Sequence, residues 1–217
     1  MNDTRILQIK KYHLKNKNQT LLSFDIYKEI DKYDIVKFIY KNIILHSEVK
    51  KLPKGLYCDD TLTINHQSLQ HWFEKRKASE HRPNSLRFLN CGGDPSDLHR
   101  YIEITRGISL NDTYWVAPIE QDINWEEVSP YNNTLDQEIA NIAFTNEFKI
   151  DFPEPKIRIT AEPTTAGMLR KCWVNKADGI YLRKAYEPHV IHKDGRSPIV
   201  MEFFAVQVAD IMKIKHI

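Results

Sequence analysis

Thr160-Ala-Glu-Pro-Thr-Thr-Ala-Gly-Met-Leu-Arg-Lys171, Cys172-Trp-Val174, Asn175-Lys-Ala-Asp-Gly179 and Ile180-Tyr-Leu-Arg-Lys184 form one continuous stretch, and its reading decides the fold. Two short apolar runs, Met168–Val174 and Ile180–Lys184, flank an Asp178-Gly179 turn signal, which is the pattern of a β-hairpin. After a polar connection, Ser197-Pro198 reads as a capping serine with proline at the first helical position. The run from Ile199 to Met212 follows as a helix, interrupted only by Glu202, Gln207 and Asp210. Hairpin and helix together predict an α+β fold, with the antiparallel hairpin packed on the helix from Ser197 to Met212.

Two charges in this stretch need an explanation. Lys184 closes an apolar strand, and Glu202 falls in the first turn of a mostly apolar helix. A charge facing such surroundings is costly unless paired. The expectation is therefore a Lys184–Glu202 salt bridge, partly buried, beneath a loop carrying Gly167 and free hydroxyls. Kinases hold the phosphates of a nucleotide with such a set of parts. The plainer alternative leaves both side chains in solvent, as most surface charges are.

Working outward, Arg5 to Tyr12 and Leu21 to Tyr27 read as two strands joined by a turn at Lys15-Asn-Lys-Asn18. Ile35 to Leu45 is read as a short helix passing into a strand. Leu52-Pro-Lys-Gly55 breaks the chain. Asn65 to Lys77 places Leu69, Trp72 and Phe73 on one helical face and ends in a basic cluster. Arg82-Pro83 opens a second short helix ending at Cys91-Gly-Gly93. Asp94-Pro95 caps a third, with Leu98, Tyr101, Ile102 and Thr105 on one face and Gly107 closing it. The aromatics of Ile108–Pro118 are expected to staple that segment to the helices rather than to form an interaction surface. Thr134-Leu-Asp-Gln137 is a capping box for a helix with Ile139, Ile142 and Ala143 inward. Phe148 to Arg158, with two prolines, reads as a linker. The domain expectation is an N-terminal α+β region over residues 1–150 and a second unit over 151–217.

Composition sets limits. A chain of 217 residues with 41% hydrophobic and 28% charged content can fill a core, and a net charge of +2 does not mark a nucleic-acid binder. Three short helices also fit a helix-turn-helix, but neither later helix offers a basic recognition face. Cys58, Cys91 and Cys172 form no C-x-x-C and read as reduced thiols of a cytosolic protein. No run reaches membrane-spanning length, and the polar start is no signal peptide. His189 and His192 lack a further ligand cluster, so no metal site is expected.

Thr164-Thr-Ala-Gly-Met-Leu-Arg-Lys-Cys-Trp173, Ile180-Tyr-Leu-Arg-Lys184 and Glu202-Phe-Phe-Ala-Val-Gln-Val-Ala209 resemble the amino-terminal lobe of HipA-like serine/threonine kinases, in a bacterial and phage branch. That branch reads T-T-G-G-M-L-K-K-C-W, then Y-L-Y-K-G-G, then S-E-Y-Y-A-S-Q-I-A. Ile108-Ser-Leu-Asn-Asp-Thr-Tyr-Trp115 and Trp125-Glu-Glu-Val128 resemble its L-S-L-N-D-S-Y-W and W-E-D-V. The likeness runs in order from about Leu52 to Met212.

The resemblance implies a vestigial ATP site made of Thr164, Thr165, Gly167, Lys171, Lys184 and Glu202. It departs from the family where Ala185-Tyr186 replaces Gly-Gly and Ala166 replaces a glycine, which restricts the approach of backbone to phosphate. Family chemistry also needs a catalytic-loop aspartate and magnesium ligands from a carboxyl-terminal lobe. No H-x-x-N-x-D run occurs here, and Lys213-Ile-Lys-His-Ile217 looks like the opening of a next strand, so that lobe is expected to be missing. The resemblance thus implies a truncated or split HipA-like kinase homologue, inactive alone and with no catalytic residues. It would act through a protein partner, in a toxin–antitoxin or phage and prophage setting. No cofactor is expected; ATP is the one candidate, held weakly. The alternatives are a phage-type inhibitor occupying a host defence complex, and a DNA-associated accessory factor. The expected location is the cytoplasm of a bacterial cell or a phage-infected host.

Overall fold

Strand pairing organises the first half of the chain. The computed structural model describes residues 5–57, 64–78, 98–145, 169–185 and 197–214. β1 (Arg5–Asn16), β2 (Gln19–Ile30), β3 (Val36–Leu45) and β4 (Tyr114–Pro118) form an antiparallel sheet in the order β3-β2-β1-β4. Helices α1 (His66–Arg76), α2 (Leu98–Thr105), α3 (Trp125–Val128) and α4 (Gln137–Phe144) accompany it. A separate hairpin of β5 (Lys171–Lys176) and β6 (Gly179–Lys184) precedes α5 (Pro198–Ile211). The architecture is α+β. No helix among the described residues is long and apolar enough to cross a membrane.

The register sets one sheet face against the helices. Tyr12 lies opposite Phe24, Leu14 opposite Leu22, and Tyr40 opposite Ile26. All six are buried with Leu69 and Phe73 of α1, Ile102 of α2 and Ile139 of α4. Aromatic rings knit the layers: Phe73 sits 6.0 Å from Phe24 and 5.8 Å from Tyr40. Burying a large apolar side chain contributes about 1.5–3 kcal/mol each, so this layer dominates stability. A second cluster of Ile108, Trp115, Ala117, Trp125 and Val128 closes the β4 end. There Trp115 donates from Nε1 to the Lys17 carbonyl (2.8 Å), and the Asn18 side chain accepts from the Trp125 amide (2.7 Å). The aromatics of 108–118 are thus staples, and they pin the β1–β2 turn.

Three expectations are corrected. Ile35 to Leu45 contains no helix: Val36–Leu45 is a strand throughout. Its branched and aromatic side chains suit a pleated surface, and Tyr40 completes the layer over Ile26. The turn before it is held by Asp31, whose Oδ1 accepts from the amides of Tyr33 and Ile35 (2.8 and 2.9 Å). Second, the cap of α4 is Asp136, not Thr134, because its carboxylate reaches the amides of Glu138 and Ile139. Asp136→Ala is expected to cost about 1 kcal/mol in a urea titration, against no change for Thr134→Ala.

The third correction concerns α5. It forms over Pro198–Ile211, but its apolar side chains from Val200 onward are not buried on the hairpin; Phe203 and Phe204 are 59% and 58% exposed. A helix apolar on every side has no single face to lay down, and a two-stranded hairpin covers little surface. The hairpin instead lies along α4, with the Arg183 guanidinium 4.3 Å from the centre of the Phe144 ring.

Histidines give the body a pH dependence with a definite sign. His66 Nδ1 accepts from the Tyr40 amide (2.9 Å), which only the uncharged ring can do. Burial holds the His66 pKa below its ordinary 6.5. Burial, then neighbouring His46 and Lys15, do the same for His13. The folded state binds these protons more weakly than the unfolded chain. Stability is therefore full above pH 6.5 and falls as pH drops from there through the lowered values. Urea midpoints between pH 7.5 and 5 check this; His66→Ala is expected to flatten the decline.

Candidate functional site

The site is built by the second hairpin and the start of α5. A two-residue turn, Ala177-Asp178, fixes the hairpin register, so Lys176 pairs with Gly179 and Lys171 with Lys184. Gly179 adopts φ +154°, a conformation that side-chain-bearing residues rarely take. The Tyr181 hydroxyl donates to Asp178 (2.8 Å) and Lys176 lies over the Tyr181 ring, which tightens the tip. The Ala185 amide donates to the Arg170 carbonyl (2.8 Å), carrying the pairing one step past Lys184.

At the open end, the register brings two lysines onto one face. Directly opposed like charges destabilise a sheet unless something neutralises them. Lys184 meets its counter-charge across the connection: its Nζ donates to Oε1 of Glu202, the fifth residue of α5 and so one turn further in than expected. The Lys184 side chain is 30% exposed and that of Glu202 49%. The expected salt bridge is present, then, but it is half open to water. Lys171 is buried at the same end of the hairpin, beside buried Cys172.

Three of the six expected nucleotide-site residues are therefore placed: Lys171, Lys184 and Glu202 stand at one end of the unit. Thr164, Thr165 and Gly167 lie outside the described residues, as do His189 and His192, Cys58 and Cys91, the helix expected from Arg82, and the linker from Phe148 to Arg158. Lys213 adopts a left-handed conformation after α5, and its amide donates to the Asp210 carbonyl, so Lys213-Ile214 closes the helix rather than opening a strand. The facing of Lys171 and Lys184 was not anticipated. Counting outward from a two-residue turn would have found it, because the positions pair at equal steps.

Arg76, in the basic cluster at the end of α1, has a structural role, while Lys75 beside it is exposed. Arg76 forms a bidentate bond to Asp112 (2.7 and 3.0 Å), donates to the carbonyls of Gly107 and Tyr114, and covers the Trp72 ring. Its guanidinium is turned into the protein, so that helix end offers no arginine to a DNA backbone.

An exposed ion pair contributes little, from about zero to 1 kcal/mol. A double-mutant cycle of Lys184→Met and Glu202→Ala is expected to give a coupling under about 1 kcal/mol by urea titration, a buried pair several times more. No family model, curated protein or solved structure matches this chain.

Proposed function

We propose that this chain is a HipA-like kinase homologue that has kept the lysine–glutamate pair of a kinase amino-terminal lobe and works by binding another protein, not by transferring phosphate alone. The observation that carries the reading is the Lys184–Glu202 bond joining the last strand of the hairpin to α5. In kinases a strand lysine and a helix glutamate in this relation position nucleotide phosphates. Lys171 at the same end supplies a second cation. These 217 residues hold no H-x-x-N-x-D run, so the aspartate that would take the hydroxyl proton has no candidate in them.

The exposed apolar side chains of α5, among them Met201, Phe203, Phe204 and Val208, favour protein binding. Large exposed apolar patches mark interaction surfaces. A toxin–antitoxin or phage setting fits a binding role, and an inhibitor that occupies a host complex would use the same surface.

Thermal melts with and without magnesium-ATP test the nucleotide half of this reading. The expected result is an unchanged melting temperature on adding nucleotide, for wild type and Lys184→Met alike. A stabilisation by ATP that Lys184→Met abolishes would reveal a working phosphate site and overturn the binding-only reading.

A further inference from the structure

The two edges of the large sheet are finished differently. At the β3 edge, exposed Lys37 and Lys41 and a bulge at Asn42 (φ +51°) discourage pairing, and His66 takes up the Tyr40 amide. Charged residues and bulges are the usual guards of a sheet edge. The β1 edge is guarded over only half its length. β4 pairs with β1 from Tyr12 to Asn16, and the Ile119 amide adds one bond to the Lys11 carbonyl. Among the described residues, no backbone hydrogen bond reaches that edge between Arg5 and Lys10. Ile6, Leu7 and Ile9 flank it, 49%, 54% and 38% exposed. An irregularity at Ile9 separates the open half from the half that β4 covers.

We propose that the open edge of β1, Arg5 to Lys10, accepts an extended segment of a partner protein as an added strand in line with β4, and that this segment alternates acidic with apolar residues. Strand addition takes its affinity from backbone hydrogen bonds and its selectivity from alternate side chains. The charge on β1 chooses the occupant. From Arg5 to Lys11 the strand carries Arg5, Lys10 and Lys11 and no acid. Of the nearby acids, Glu120 pairs with Lys10, Asp25 stands opposite Lys11 but is buried and accepts from Asn42 and Gln8, Glu29 stands opposite Ile6, and Asp31 and Asp34 line a cavity with Arg5, offset by Lys32 in the same lining. A second copy of the chain fits poorly. Antiparallel self-pairing centred on Gln8 would set Arg5 against Lys11 at both ends, and opposed like charges are unfavourable. This surface is separate from α5, so the inference does not depend on the kinase-like reading.

The probes are two blocked synthetic peptides, one alternating glutamate with valine and one alternating lysine with valine. Titration calorimetry gives their affinities, and amide hydrogen exchange locates them. The glutamate peptide is expected to bind at least about tenfold more tightly, since each opposed charge pair counts on a sheet. It is expected to slow exchange within Ile6–Lys10 and to leave α5 unchanged. Arg5→Gln with Lys11→Gln, both at exposed positions, removes the charge without opposing like charges, and should keep the fold and abolish the preference. Equal affinity for the two peptides, failure of both to bind, or protection away from β1 would overturn the proposal. So would a concentration-dependent dimer in sedimentation that protects this same edge.

Discussion

Arg76→Ala is expected to destabilise the body of residues 5–145 by about 2–3 kcal/mol, because it removes at once the counter-charge of the partly buried Asp112 carboxylate and the donors to two backbone carbonyls. The Arg76 side chain is only 9% exposed, and its donors serve Asp112, the Gly107 carbonyl and the Tyr114 carbonyl together. These contacts tie the end of α1 to the turn after α2 and to the first residue of β4. Lysine cannot replace it, since a single ammonium cannot span the carboxylate fork and two carbonyls. Urea titration is the check: Arg76→Lys should recover only a minor part of the loss. If both variants unfold like wild type, the staple contributes nothing and β4 is held by its pairing with β1 and by Trp115.

The second large effect is expected at Phe73. Its ring is fully buried between α1 and the sheet, against Phe24, Tyr40 and Trp72. Phe73→Ala removes that packing and leaves a cavity, at a cost of about 3–5 kcal/mol. Phe73→Leu keeps most of the volume and should lose markedly less. The comparison separates packing from a general intolerance of the site. Phe203→Ala on α5 is the contrasting case: its ring is exposed, so stability should stay within about 0.5 kcal/mol of wild type.

How far the sequence could be read depended on the distance between partners. The hairpin from Lys171 to Lys184 and the helix after Ser197-Pro198 were legible because turn, cap and apolar runs are local signals. The Lys184–Glu202 contact was legible too, since only 18 positions separate the partners. β4 was not, because its strand character comes from pairing with β1, about a hundred residues earlier in the chain. The Arg76 staple was hidden for the same reason: Asp112 lies 36 positions on, and from α1 alone the arginine looks like one of three surface cations. Val36–Leu45 misled because an unbroken apolar run fits a helix or a strand until β2 is known to lie beside it. Nor could the sequence foretell that α5 would form and still keep its phenylalanines in solvent. Apolar residues around a whole helix say that it needs cover, and not what supplies it.

The central claim is that the ion pair persists without phosphoryl transfer by these residues alone. Transfer of labelled γ-phosphate from magnesium-ATP, by the purified chain to itself or a general protein substrate, tests it most directly. On the proposed reading, with no H-x-x-N-x-D run in these 217 residues, the wild-type chain should incorporate no more label than Lys184→Met. Incorporation well above that variant, and lost in Glu202→Ala, would contradict the account.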